Sequence, residues 1–218
     1  ELDRPGQDRF EIPFVHVRSL GQIDVQLEVD VARSPARVHD LRLSRGVDEL
    51  AHFVQVLLEG KRGVINGDDS YSGCLALKCF VADNGSGESP FASVLVSGGH
   101  RASLCAVASG NADIAAIDCV SWYLANQCES AVRNLKVIGH TRSRPGLPLI
   151  TCGDASAQEI SVLRDVLVQA VDGVDEKSRA MLGIHGFVPR DEEDYAPIAT
   201  DLERCGSISL SASPFMNG

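Results

Sequence analysis

Gly60–Ser72, GKRGVINGDDSYS, runs straight into GCLALKCF at Gly73–Phe80. Basic residues lead a short apolar run, acidic and hydroxyl residues follow, and a helical pattern comes next. Ser72 reads as the N-cap of that helix, with Cys74, Leu77 and Val81 at the spacing of one helical face. A strand ending in hydroxyls at a helix N-terminus is a cradle for an oxyanion, because free backbone N–H groups and the positive end of the helix dipole face the ligand. Most serine caps only satisfy backbone donors, so the stretch needs support from elsewhere in the chain.

That support follows in sequence. After the polar loop DNGSGESPF comes a β-branched run, Ser93–Ser97, then Gly98, Gly99 and His100. ASLCAVASG reads as a helix with Ala102, Cys105 and Ala106 on one face and Gly110 as its stop. Asp113–Asp118 (DIAAID) reads as a buried strand running into the helical CVSWYLA. The spacing is that of an α/β unit. Ser70, Ser72, His100 and Asp118 all fall where strands end, and open α/β sheets bind ligands beyond the carboxyl ends of their strands.

Four motifs, INGDDSYSGCLALK, VSGGHRASLCAVASGNADIAAIDCVSW, HTRSRPGLPLIT and LGIHGFVP, occur in this order. With them the chain resembles the phosphate/phosphonate-type substrate-binding proteins of ABC transporters, from Lys61 to Ile198. The resemblance implies an α/β, type II periplasmic-binding-protein fold, with one complete lobe and a shortened or divergent second lobe. It also implies four segments: a divergent N-terminal part of lobe I at 1–60, lobe II at 61–140, the C-terminal part of lobe I at 141–205, and a flexible tail at 206–218.

The same resemblance implies the site. Ser70, Tyr71, Ser72, Gly73, His100 and Asp118 are the ligand-binding positions, for a small phosphate- or phosphonate-like oxyanion. Gly98-Gly99-His100 stands where the family commonly has a hydroxyl before the histidine, so one donor is missing. A bound anion would raise the His100 pKa. Asp118 would take a ligand amine or a protonated ligand oxygen, and Tyr71 and Trp122 are candidate cleft walls. The implied partner is an ABC permease, and no cofactor is expected.

Residues outside the resemblance carry patterns of their own. Ile23, Val25, Leu27, Val29 and Val31 alternate with polar residues as in a half-buried strand, and Ser44–Glu59 reads as an amphipathic helix. Lys136–Thr141 reads as a strand and Arg142–Pro148 as a Pro/Gly crossover. Ser156 with Glu159 makes a capping box for a helix bearing Ile160, Leu163, Leu167, Ala170 and Val171 on one face. Asp175–Leu182 is a shorter helix stopped by Gly183. Phe187, Tyr195 and Ile198 are expected to pack the tail down. The acidic Asp191–Asp194 run reads as a solvated face, since a calcium loop needs spaced ligands and a glycine.

Composition narrows the classes. The net charge of −10 argues against a nucleic-acid groove, which needs a basic stripe. No run approaches the roughly 20 apolar residues of a membrane span. The opening ELDRPGQDRF is not signal-like, so an export segment is expected to have been removed or never to have existed. Seven cysteines lack CxxC or zinc spacing, which favours reduced thiols, whereas the resemblance favours an exported protein; the compartment stays open between them. Three function classes result. The first is a transport-associated oxyanion-binding protein. The second is a sensing or interaction domain derived from that fold. The third is a hydrolase built on serine, His100 and Asp118, disfavoured because no GxSxG elbow surrounds either serine.

Overall fold

In a computed structural model of the chain, the described residues are 13–16, 58–84, 89–146, 148–184, 186, 190, 192–212 and 216–217. The alternating stretch Ile23–Val31 and most of the Ser44–Glu59 helix pattern lie outside them, as does Phe187. Strands are β1 (Pro13–His16), β2 (Arg62–Ile65), β3 (Ser93–Val96), β4 (Ile114–Ala116), β5 (Lys136–His140) and β6 (Met216–Asn217). Helices are α1 (Ala76–Asp83), α2 (His100–Ala108), α3 (Cys119–Cys128), α4 (Ala157–Asp172), α5 (Glu176–Leu182) and α6 (Glu192–Cys205).

The strands form one sheet in the order β5-β1-β4-β2-β3-β6. β2 is parallel to both β3 and β4, and β1 runs antiparallel between β4 and β5. Short apolar runs of this kind suit parallel strands covered on both faces. Their alternation decides which helix covers which face. Ile65, Val94, Ile114 and Ala116 share a cluster with Cys74, Leu77 and Val81, so the α1 side has the helical face expected from sequence. Val64, Ala115 and Ile117 share the opposite cluster with Leu104 and Val107 of α2 and Trp122 and Ala125 of α3. Right-handed crossovers produce this split, because β2 to β3 steps one way along the sheet and β3 to β4 steps back past β2.

Several expectations change at the level of packing. In α2 the buried residues are Ser103, Leu104 and Val107, while Ala102 and Cys105 are exposed. The helix starts at His100, and that earlier start puts His100, Ser103, Leu104 and Val107 on one face. Trp122 is a core residue of the α3 layer. The capping box at Ser156 and Glu159 forms, and Gly183 ends α5 at φ +69°. On α4, Ile160, Leu167 and Val171 are half-buried, but Leu163 and Ala170 are exposed, and neither α4 nor α5 has a buried residue.

In the stretch after Gly206, expected as a flexible tail, the described residues are docked. Leu210 is fully buried beside Leu58 and Phe91. The Phe91 N–H donates to the Leu210 carbonyl at 3.0 Å, and Ser89 N–H donates to the Ser209 carbonyl at 2.8 Å. β6 then pairs parallel with β3 as the sheet edge. Ile208 and Leu210 alternate with serines, a period too short to decide the matter, and long-range pairing supplied the rest. Leu210→Ala should therefore destabilise the protein by about 2–5 kcal/mol, a value typical of core truncations, read from urea unfolding. A flexible tail would leave the midpoint unchanged.

Candidate functional site

The parallel strands β2, β3 and β4 end on one edge, and polar side chains gather there. After Ile65 the chain passes Asn66 and reaches Ser70, whose hydroxyl oxygen accepts the Gly73 N–H at 3.1 Å. Ser70 is therefore the cap, and Ser72, expected in that role, lies inside the first turn. This turn, Tyr71–Leu75, is a π-turn leading into α1. Single π-turns of this sort are frequent at functional sites. The Gly73 N–H, expected to face the ligand, is already taken by Ser70. Gly73 has a different role: a Cβ there would stand 2.4 Å from Cγ of Asn66, so only glycine lets the turn lie on that side chain.

Beneath the turn runs a network that the motif reading missed. Asn66 Oδ1 accepts from the Ser103 hydroxyl at 3.1 Å, and its amide nitrogen makes a long 3.5 Å contact with Ser70 Oγ. The hydroxyls of Ser103 and Ser97 lie 2.7 Å apart. Ser97 also reaches the Ile65 carbonyl at 3.1 Å, which joins the ends of β2 and β3. Two signals were available in the sequence: a polar Asn-Gly directly after the β2 run, and a serine on the His100–Leu104–Val107 face. Gly98 turns the chain into α2 at φ +86°, a conformation that favours glycine.

His100 and Asp118 come together as expected, with His100 Nε2 at 3.0 Å from Asp118 Oδ2. The other carboxylate oxygen, Oδ1, accepts the Ser121 N–H at 2.9 Å and caps α3. Ser72 Oγ lies 2.8 Å from the same Nε2. The Asp118 charge beside the ring favours a proton on Nε2, and Ser72 Oγ then accepts it. The Ser72 hydroxyl hydrogen is left to donate elsewhere. Ser70 is in the same position, since its oxygen faces the Gly73 N–H and the Asn66 amide. Both hydroxyls are thus set as donors.

This geometry is not that of a hydrolytic triad. There the serine and the carboxylate engage opposite ring nitrogens. Here both meet Nε2, and Nδ1 is buried with no hydrogen bond of ordinary length. Burial pushes the His100 pKa below its ordinary value, and the Asp118 charge and the Ala116 carbonyl recover only part of the shift.

Tyr71 points away from this cluster. Its hydroxyl donates to Asp201 Oδ2 at 2.8 Å on α6. A groove runs on that side, lined by Asp68, Ser70, Tyr71, Lys78, Tyr195 and Leu202; Ser70 borders it, while Ser72, His100 and Asp118 do not line it. Among the described residues no group of His, Cys, Asp or Glu side chains could hold a metal ion. Glu192 and Glu193 are exposed, and Asp194 pairs with Arg190 at 3.2 Å, as a solvated face should. No two of the seven cysteines are bonded, and Cys74, Cys79 and Cys205 are buried. No helix among the described residues is long and apolar enough to cross a membrane.

The fold and the strand-end cluster together define a type II periplasmic-binding-protein architecture. A family model described as "ABC transporter, phosphonate, periplasmic substrate-binding protein" matches residues 43–195, and the chain belongs to that family. No curated protein matches in sequence. Among solved structures, the chain is similar to a binding protein component of an ABC phosphonate transporter from Pseudomonas aeruginosa, at 18% identity and TM-score 0.61. The match covers 90% of this chain and 57% of that one. It is similar too to a Prochlorococcus marinus protein in complex with methylphosphonate, at 17% identity and TM-score 0.63, covering 92% and 68%. A third, a Xanthomonas citri protein bound to ATP, gives 18% identity and TM-score 0.52, covering 93% and 69%. This chain therefore spans little more than half of the Pseudomonas protein and about two thirds of the other two.

Two measurements check the site. In a proton NMR titration His100 should titrate below the ordinary histidine value of about 6.5, and lower still in Asp118→Asn. The sign for stability follows: a folded ring that resists protonation contributes fully above the unfolded value, and that contribution is lost as pH falls from there towards the folded one. Gly73→Ala should cost about 1–3 kcal/mol in urea unfolding, because Asn66 must leave its place.

Proposed function

We propose that this chain binds a small phosphate- or phosphonate-like oxyanion, as the solute-binding component of an ABC transporter whose permease is its partner. The observation that carries the reading is the set of donors at one sheet edge. Ser70 and Ser72 each have the oxygen engaged by a protein N–H and the hydroxyl hydrogen to spare, with His100 Nε2–H beside Ser72. Donor hydrogens grouped at the strand ends suit the acceptor oxygens of an anion. Membership of the family supports the same reading, and so does the methylphosphonate held by the Prochlorococcus protein.

Asp118 sets a condition on the ligand. A carboxylate beside an anion repels it unless a proton or a cation lies between them. His100 Nε2–H supplies one such proton, and a ligand amine or a protonated ligand oxygen would supply another. Binding is the role, without catalysis, because the shared nitrogen leaves no base arranged to activate Ser72. A sensing or interaction domain on the same fold is the second reading, and the engagement of Ser72 with His100 within the protein is compatible with it.

Calorimetry with phosphate, methylphosphonate and sulfate tests the proposal. Ser72→Ala should weaken the preferred anion about 10- to 100-fold, the worth of one charge-assisted hydrogen bond. Asp118→Asn should alter the preference between phosphate and an aminoalkylphosphonate. Negligible heats with all of these ligands would reject oxyanion binding in favour of the second reading.

A further inference from the structure

Ser70, Tyr71 and Ser72 are consecutive, yet Ser70 bonds within the turn, Ser72 meets His100 and Tyr71 reaches α6. The turn that carries them stands between two registers. The Ser70 carbonyl accepts from both Cys74 N–H at 3.1 Å and Leu75 N–H at 3.0 Å, one bond of α spacing and one of π spacing. Neither bond alone decides how far the turn is wound, and a change of winding would swing Ser72 off His100. The Tyr71 hydroxyl fixes the turn from outside, through its bond to Asp201.

Asp201 is suited to be a fixed point. Its side chain is 3% exposed, and Arg144 grips it as a fork, Nε to Oδ2 at 2.7 Å and a terminal nitrogen to Oδ1 at 3.0 Å. Its backbone carbonyl lies 3.8 Å from the Cys79 thiol on α1. Burial would push the Asp201 carboxyl up, but the bonds from Arg144 and Tyr71 outweigh it and hold the group below the usual carboxylate range. Burial and that same bond push the Tyr71 phenol up, so it remains a donor. Arg144 lies in the segment after β5, and Asp201 lies 130 residues from Tyr71. The anchor is therefore set by the packed fold, independently of the turn it holds.

We propose that Tyr71 is a positioning residue: held by the Asp201–Arg144 pair, its hydroxyl selects the winding of the 71–75 turn that aims Ser70 and Ser72 at the ligand. The ligand part of this rests on the oxyanion reading above; the winding part does not. The probe variant is Tyr71→Phe in the full chain, which keeps the ring and removes only the hydroxyl. Amide hydrogen exchange of Gly73, Cys74 and Leu75 should quicken about tenfold while β2, β3 and β4 keep their protection, as expected for a local opening. Methylphosphonate affinity should fall about tenfold, and this loss should shrink in a Ser72→Ala background because part of it runs through that contact. Arg144→Lys, which keeps the charge and loses the fork, should give the same pattern at smaller size. Unchanged exchange in the turn of Tyr71→Phe overturns the proposal, as does an affinity loss of equal size in both backgrounds. If the unaltered chain takes up no methylphosphonate, phosphate or sulfate, the oxyanion reading fails alone, and the exchange experiment still decides the winding.

Discussion

Asn66 holds the functional edge together. Its backbone carbonyl accepts the Gly98 N–H at 2.8 Å, its side-chain oxygen accepts Ser103, and its amide faces Ser70. One residue at the end of β2 thereby joins the loop after β3, the inner face of α2 and the cap of the first turn. Partly buried polar groups of this kind stabilise only when every member is matched, and then they specify a single arrangement. The absence of a side chain at Gly73 belongs to the same constraint, since the turn must rest directly on the asparagine.

From that hub the sheet decides what can be brought together. β2 sits between β4 and β3, and all three are parallel, so the residues following them emerge on one side. His100 enters from the third strand of the sequence and Asp118 from the fourth. Both begin helices that cover the same sheet face, and Ser72 comes from the turn leading to the helix on the other face. The cluster lies where the chain changes face, which is why residues from three separate connections meet at a single nitrogen.

Local patterns made much of this legible in the sequence. The Cys74–Leu77–Val81 face, the strand runs, the capping box at Ser156 and the meeting of His100 with Asp118 follow from spacing or from the family resemblance. Four features did not. Ser70 and Ser72 are equally good caps, and only the fit of Gly73 over Asn66 chooses between them. The face of α2 was misassigned because small residues such as Ala102 and Cys105 tolerate either environment. The Tyr71–Asp201–Arg144 group joins residues 130 and 57 apart, a distance no periodicity reports. Leu210 stands with Ile208 in a run of serines too short to show a period, yet it is wholly enclosed. Beyond the sheet, α4 keeps Val162, Leu163 and Val166 about half exposed, so its apolar pattern and its surroundings do not correspond as they do in α1.

The shared nitrogen has a kinetic and selective side. Because Ser72, His100 and Asp118 already satisfy one another, an incoming molecule that takes the Nε2 proton must displace a bond the protein makes to itself. The exchange is close to neutral for an acceptor no better than the serine oxygen, and favourable only for one that is more basic or carries charge. Under the oxyanion reading, discrimination would begin before size or shape is sampled: the Ser72 oxygen holds the Nε2 proton as a weak competitor at permanent, high effective concentration. On that reading, neutral polar solutes would lose to the competitor without any specialised contact.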